Sequence, residues 1–255
     1  MTTLPNRPIV LVTFDLYDTL VEADPPRWER FARALERAGM PVPVERVLHA
    51  DRRAEDHYTI ENGRYPIRDR TPEEVQRFRL DQTRAYLEAL ALPTDDATVR
   101  RVQRHFVDET SSGGWRYRVF EDVEPALLSL AGAGVKRAII SNADADVTEF
   151  CLSMGFAHHM DVIVTSALVG WEKPDARTFF AALDPLGVTP ADALHIGDQP
   201  LSDIKGARAI GMATALIDRY GRHRDGEHPA IRVRSLLELA ELVIAHNDRL
   251  GAAVG

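Results

Sequence analysis

The run Ile9-Val10-Leu11-Val12-Thr13-Phe14 stops abruptly at Asp15, and the short polar turn Leu16-Tyr17-Asp18-Thr19 follows it. A near-continuous apolar, β-branched run of this length reads as a strand buried on both faces, which belongs in a parallel sheet covered by helices. In open sheets of that kind, ligands bind outside the carboxyl ends of the strands. Asp15 therefore falls where chemistry is done, although an Asp at that point also serves simply to cap the turn or helix that follows. The rest of the chain has to separate those two uses.

From Val119 onward, strand and helix patterns alternate. Helices are predicted over Val123 to Ala133, Asp146 to Met154, Asp175 to Leu186, Ile204 to Ile210 and Ser235 to His246. Strands are predicted over Val135 to Ile140, Asp161 to Thr165, Ala193 to Ile196 and Met212 to Ile217, and Arg219 to Arg232 reads as a polar loop. Repeated strand–helix units imply an α/β fold with a parallel sheet and helices on both faces. Residues 22–115 differ: they read as Arg-rich and all-helical, with no strand pattern. Trp28, Phe31, Ala32, Leu35 and Ala38 share one face of a first helix, and Val44 to Ile60 forms a second that breaks at Asn62-Gly63. Thr71-Pro72-Glu73-Glu74 is a capping box opening a third, which runs to about Leu92, and Asp95 to Glu109 forms a fourth. The expected organisation is an α/β core of residues 1–21 and 116–255, with residues 22–115 inserted as a helical cap. Stretches near Glu22 to Pro26 and Ser111 to Trp115 would be its hinges.

Composition removes several function classes. The chain has 255 residues, a formal net charge of −8 and no run of Lys or Arg, which argues against nucleic acid as a partner. Cys151 is its only cysteine, so neither an internal disulfide nor a cysteine-based metal site can form. Met1 to Pro8 lacks the apolar stretch of a leader, and no run reaches membrane-spanning length, so a cytoplasmic protein without membrane contact is expected.

Polar groups stand at four strand ends or the loops beside them: Asp15, Ser141-Asn142, Lys173, and Asp198 with Asp203. Their chemistry is complementary. A carboxylate can attack as a nucleophile, a hydroxyl and an amide can hold the oxygens of a transferring group, and a lysine can offset negative charge. Two more carboxylates beside the first suit a hard cation such as Mg²⁺. Each has a plainer use: a helix cap for Ser141-Asn142, a solvated charge for Lys173, a turn residue for Asp198. Their joint occurrence, in order along one sheet, favours the site.

These stretches resemble the haloacid dehalogenase-like (HAD) hydrolases. TFDLYDTL is similar to the first motif of that superfamily, IISNAD to the second, WEKPDARTFF to the third and LHIGDQPLSDIKGARAIGM to the fourth. The resemblance implies a Rossmann-like core with a C1-type cap, Asp15 as nucleophile, Thr19 supporting its loop, and Ser141, Asn142 and Lys173 around the transferring group. It also implies Mg²⁺ held by Asp15, the Tyr17 backbone carbonyl, Asp198 and Asp203.

Two positions depart from the phosphatases of the superfamily. Tyr17 stands where they carry an acid/base Asp, and with a reference pKa near 10 a phenol is a poor base; the 2-haloacid dehalogenases of the superfamily carry Tyr there. Asp18 replaces the usual Gly. Asp198 and Asp203, however, follow the metal-binding phosphatase pattern, and crowded carboxylates raise one another's pKa unless a cation sits among them. The expected function is thus a Mg²⁺-dependent phosphatase of a small phosphorylated metabolite, working through an aspartyl-phosphate. The alternative is a metal-independent 2-haloacid dehalogenase acting on a halogenated acid, with a cap Arg (Arg46, Arg52 or Arg53, near His49) anchoring the substrate carboxylate. A third reading is a catalytically silent binding fold. In the phosphatase reading, Asp51, Glu55, Asp56 and His57 of the cap are substitutes for the missing acid/base. His158-His159 reads as a solvated loop, Trp115 and Tyr117 as hinge packing, Cys151 as core, and a monomer or homodimer is expected.

Overall fold

The computed structural model describes residues 4–223 and 227–252. The sequence-based expectations for the N-terminal stretch and for the polar loop Arg219 to Arg232 therefore fall partly outside the described residues. The chain forms two compact units, one running to Glu22 and resuming at Val119, the other spanning Ala23–Arg118.

In the first unit, β1 (Leu11–Phe14), β4 (Lys136–Ser141), β5 (Val162–Thr165), β6 (Ala193–Gly197), β7 (Ala213–Ile217) and β8 (Ile231–Val233) make a six-stranded sheet in the order β5-β4-β1-β6-β7-β8. Every pairing in it is parallel. β1 lies at the centre, pairing Phe14 with Ile139 on one side and with Ile196 on the other. This is why its sequence is apolar without alternation: all four of its residues are buried. The order of strands places the ends of β1, β4 and β6 side by side, which is what brings Asp15, Ser141 and Asp198 to one edge of the sheet. Helices α5 (Val123–Gly132), α6 (Thr148–Ser153), α7 (Ser166–Val169), α8 (Ala176–Leu183), α9 (Lys205–Ala209) and α10 (Leu236–Ala252) connect and cover the strands. Leu11, Ala138, Ile140, Phe179, Leu183, Ala193 and Ala207 form one buried cluster between the sheet, α8 and α9. At roughly 25 cal/mol per Å² of apolar surface, such burial is the main favourable term in folding this unit.

The second unit contains α1 (Arg27–Arg37), α2 (Val44–Arg64), α3 (Pro72–Ala89) and α4 (Asp96–Ser111). Trp28, Phe31, Ala32, Leu35 and Ala38 all lie buried, as the helical spacing requires. Phe31 stacks on Tyr86 with ring centroids 4.0 Å apart, and Phe106 meets Phe31 edge-on at 5.4 Å. Thr71 and Glu74 form the full reciprocal capping box. The expected break at Asn62-Gly63 does not occur: α2 continues to Arg64, and the Asn62 side chain accepts a hydrogen bond from the Ile67 N–H at 2.7 Å just beyond it. The expectation of no strand within residues 22–115 also needs correction at its edge, because β2 (Val21–Asp24) runs into that range and pairs with β3 (Arg116–Val119) in a separate two-stranded sheet. Trp115 and Tyr117 pack edge-on at 5.0 Å, with the Arg30 guanidinium 4.4 Å above the Trp115 ring.

Candidate active site

Asp15 leaves β1 with its N–H bonded to the Ile196 carbonyl at 2.8 Å, so the backbone of the neighbouring strand fixes where its side chain starts. Lys173, 1% exposed, bridges two carboxylates: its Nζ lies 2.7 Å from Asp15 Oδ1 and 2.7 Å from Asp203 Oδ1. Asn142 sets that lysine. Its amide donates to the Lys173 carbonyl at 2.9 Å and accepts from the Lys173 N–H at 2.7 Å. Ser141 is completely buried at the end of β4, and its Oγ has no hydrogen-bond partner among the described residues. A buried hydroxyl left that way is costly unless something else bonds to it. Thr19 is equally buried, with its Oγ1 also unpartnered among the described residues.

Asp203 enters from a π-helical turn, Pro200–Ile204, a geometry frequent at functional sites. It accepts from the Gln199 N–H at 2.9 Å and lies 3.2 Å from His195 Nε2, while the other ring nitrogen of His195 meets Thr13 Oγ1 at 2.8 Å. The close approach requires Gly197: a Cβ there would stand 2.1 Å from Asp203 Oδ2. Asp198 receives Arg222 Nη2 at 2.8 Å and Gln199 Nε2 at 3.2 Å. Carboxylate oxygens of Asp15, Asp198 and Asp203 all lie within 4.8 Å of one another.

Electrostatics follow from this crowding. Burial pushes the Asp15 carboxyl up to about 6; Lys173 opposes the rise and Asp203 reinforces it. Burial also drives Asp198 well above the usual carboxylate range, helped by Asp18, Asp15 and Asp203 and only partly offset by Arg222. Asp203 goes the other way: burial alone would raise it, yet Lys173 and His195 hold it below its ordinary value. Burial pushes the His195 imidazole down, so it stays neutral. The cluster is thus rich in oxygen donors and short of positive charge, and a small hard cation fits it by donor type and by charge.

Tyr17 packs its ring near Phe150, centroids 6.0 Å apart. Asp18 has φ +57°, the left-handed region that Asp tolerates better than most residues, which accounts for an Asp where a Gly would be unsurprising. In the helical unit, Asp51 is fully buried. Arg27 grips it through Nε at 3.0 Å and Nη2 at 2.9 Å, and the Tyr86 hydroxyl donates to it as well. Arg46 donates to the Leu90 carbonyl at 3.1 Å, while Arg53 and His49 are exposed. His158 and His159 lie in a short 3₁₀ turn, and Cys151 is buried with its thiol pushed up to about 11 by that burial. Thr13, His195, Gln199 and Arg222 are site neighbours that sequence reasoning missed. A His inside the apolar run of β6 was the one available signal; Arg222 sits in a polar loop that offers none.

The central strand thus ends in a lysine-paired carboxylate, with a buried hydroxyl at the end of the next strand and two further acids within reach. The haloacid dehalogenase-like hydrolase family model matches residues 9–211, and the chain belongs to that family. A mouse protein, haloacid dehalogenase-like hydrolase domain-containing protein 3, is 30% identical over 214 residues, covering 81% of each chain. The phosphoserine phosphatase of Thermus thermophilus is 36% identical over 126 residues, 49% of this chain and 51% of its own. Among solved structures, a 2-haloacid dehalogenase from Pseudomonas syringae superposes with a TM-score of 0.54 at 26% identity, over 93% of this chain and 99% of that one. Among the described residues no helix is long and apolar enough to cross a membrane.

Proposed function

We propose that the protein is a Mg²⁺-dependent phosphatase acting on a small phosphorylated metabolite, with the helical unit serving as a C1-type cap. The observation that carries this reading is the grouping of Asp198 and Asp203 with Asp15, a surplus of buried carboxylates that a divalent cation would balance. The similarity to a phosphoserine phosphatase supports the same choice. Asp15, Asp198, Asp203 and the Tyr17 carbonyl would hold the ion. Bound there, it neutralises charge on the phosphoryl oxygens and on the nucleophile.

Lys173 holds Asp15 Oδ1, which leaves the other carboxylate oxygen to attack phosphorus. The new O–P bond forms as the bond to the leaving oxygen breaks, giving an aspartyl-phosphate and an alkoxide that takes up a proton. Ser141 Oγ and Lys173 Nζ stabilise the transferring oxygens, while Asn142 keeps the lysine in place. Water then attacks phosphorus, and phosphate departs with Asp15 restored. Asp51, held at both oxygens by Arg27, is a poor proton carrier. Glu55, Asp56 and His57 are the remaining substitutes in the helical unit for the acid/base that Tyr17 cannot be.

Tyr17 itself favours a second reading, a 2-haloacid dehalogenase in which Asp15 displaces halide from carbon. Parallel assays separate the two: phosphate release from small sugar and amino-acid phosphates with Mg²⁺, and chloride release from 2-chloropropionate with chelator. The phosphatase reading expects the first and not the second. Chloride release in chelator would overturn it.

A further inference from the structure

A second cluster of ligand-type side chains lies in the chain following β7. His223 Nδ1 is 3.2 Å from His228 Nε2, the rings standing at 77° with centroids 5.0 Å apart. Glu227 Oε1 is 3.8 Å from the same His228 nitrogen, and the three donor atoms all lie within 4.8 Å of one another. We propose that His223, Glu227 and His228 form a transition-metal site of the Zn²⁺ class, separate from the carboxylate cluster around Asp15.

The donor chemistry selects the ion. Two imidazoles and a carboxylate suit Zn²⁺, Co²⁺ or Ni²⁺ and not Mg²⁺, which takes oxygen ligands. The spacing agrees: nitrogens bound at ~2.05 Å around a tetrahedral ion stand about 3.3 Å apart. The first ligand is also held in advance. His223 is 6% exposed, its N–H donates to buried Asp218 Oδ2 at 3.1 Å, and Arg232 donates to its carbonyl at 2.5 Å. Asp218 accepts from the Arg222 N–H too, at 2.7 Å. Arg222, the residue before the ligand, is the one that donates to Asp198. The ion therefore ties His223 to His228 and anchors the backbone that presents Arg222 to Asp198. Three protein ligands leave a fourth position for water.

Cobalt reports the site directly. The full chain, stripped with chelator and then held in excess Mg²⁺ to occupy the carboxylate cluster, is titrated with Co²⁺ while the visible d–d bands are recorded. One equivalent giving tetrahedral bands, displaced by Zn²⁺, is expected. His228→Gln should weaken binding beyond the roughly 10–100-fold that loss of an outer-shell partner costs, and Asp198→Asn should leave it unchanged. Glu227→Gln, at an exposed side chain, should weaken it about tenfold or more and decides the matter if His228→Gln does not fold. Absence of tetrahedral bands would overturn the proposal, leaving His223 and His228 as a plain hydrogen-bonded pair. So would bands that survive both ligand variants, or bands lost in Asp198→Asn.

Discussion

In the proposed mechanism Asp15 attacks as a carboxylate, and its surroundings set when it is one. Burial raises its pKa to about 6, so without a cation it is largely protonated below about pH 5 and ionised above about pH 7. The sign follows: kcat/KM for phosphate ester hydrolysis rises with pH through an acid limb, and raising Mg²⁺ from limiting to saturating concentration moves that limb to lower pH. Lys173 is what keeps the shift in check. Lys173→Met removes a cation touching both Asp15 and Asp203, so the limb should move to higher pH and kcat should fall on the order of 100-fold. A pH–rate profile of the variant that overlays the wild type would contradict this role. The positions of Asp15, Ser141 and Asp198 were legible in the sequence because each closes or follows an apolar strand, whereas Lys173 lies in the loop after the short α7 and was legible from the WEKPDARTFF stretch. Arg222 and the clamp from Asn142 to the Lys173 backbone were not, since both are made by irregular chain whose course no periodicity records.

At the scale of elements, the turn from β6 into α9 is specified by the close approach of Asp203 to Gly197. Asp203 reaches Lys173 by passing over Gly197, so Gly197→Ala forces the carboxylate aside. We expect a stability loss of about 1–3 kcal/mol, the usual cost of overpacking, measured by denaturant unfolding, together with a proportionally larger loss of turnover. In the helical unit the corresponding feature is Arg27–Asp51–Tyr86. Arg27→Met leaves a buried carboxylate without its cation, which typically costs about 3–5 kcal/mol and should appear as a lower unfolding midpoint. Asp51→Asn should leave kcat near the wild-type value wherever the protein is folded; a selective loss of turnover would return Asp51 to the list of proton carriers. The capping box at Thr71 was readable because it is a local pattern. The continuation of α2 through Asn62-Gly63 was not, because poor intrinsic helix formers are tolerated when tertiary context holds the segment, as the bond from Ile67 N–H to Asn62 shows. β8 escaped notice as well: three residues in an Arg-containing stretch carry too little alternation to register.

For the whole molecule, the alternation of strands and helices after residue 119 was enough to imply a parallel sheet, and the strand order explains why residues 158 positions apart, Asp15 and Lys173, meet. What the alternation could not supply was the balance of charge at that meeting point, which depends on burial and on side chains from four separate segments. That balance is the basis for assigning phosphoryl chemistry despite Tyr17. The most direct test is hydrolysis of p-nitrophenyl phosphate, whose leaving group needs little help from a general acid, measured with Mg²⁺, with chelator, and with Asp15→Asn. Turnover that requires Mg²⁺ and disappears in Asp15→Asn is the predicted result; turnover undiminished by chelator, or retained in Asp15→Asn, would contradict the assignment.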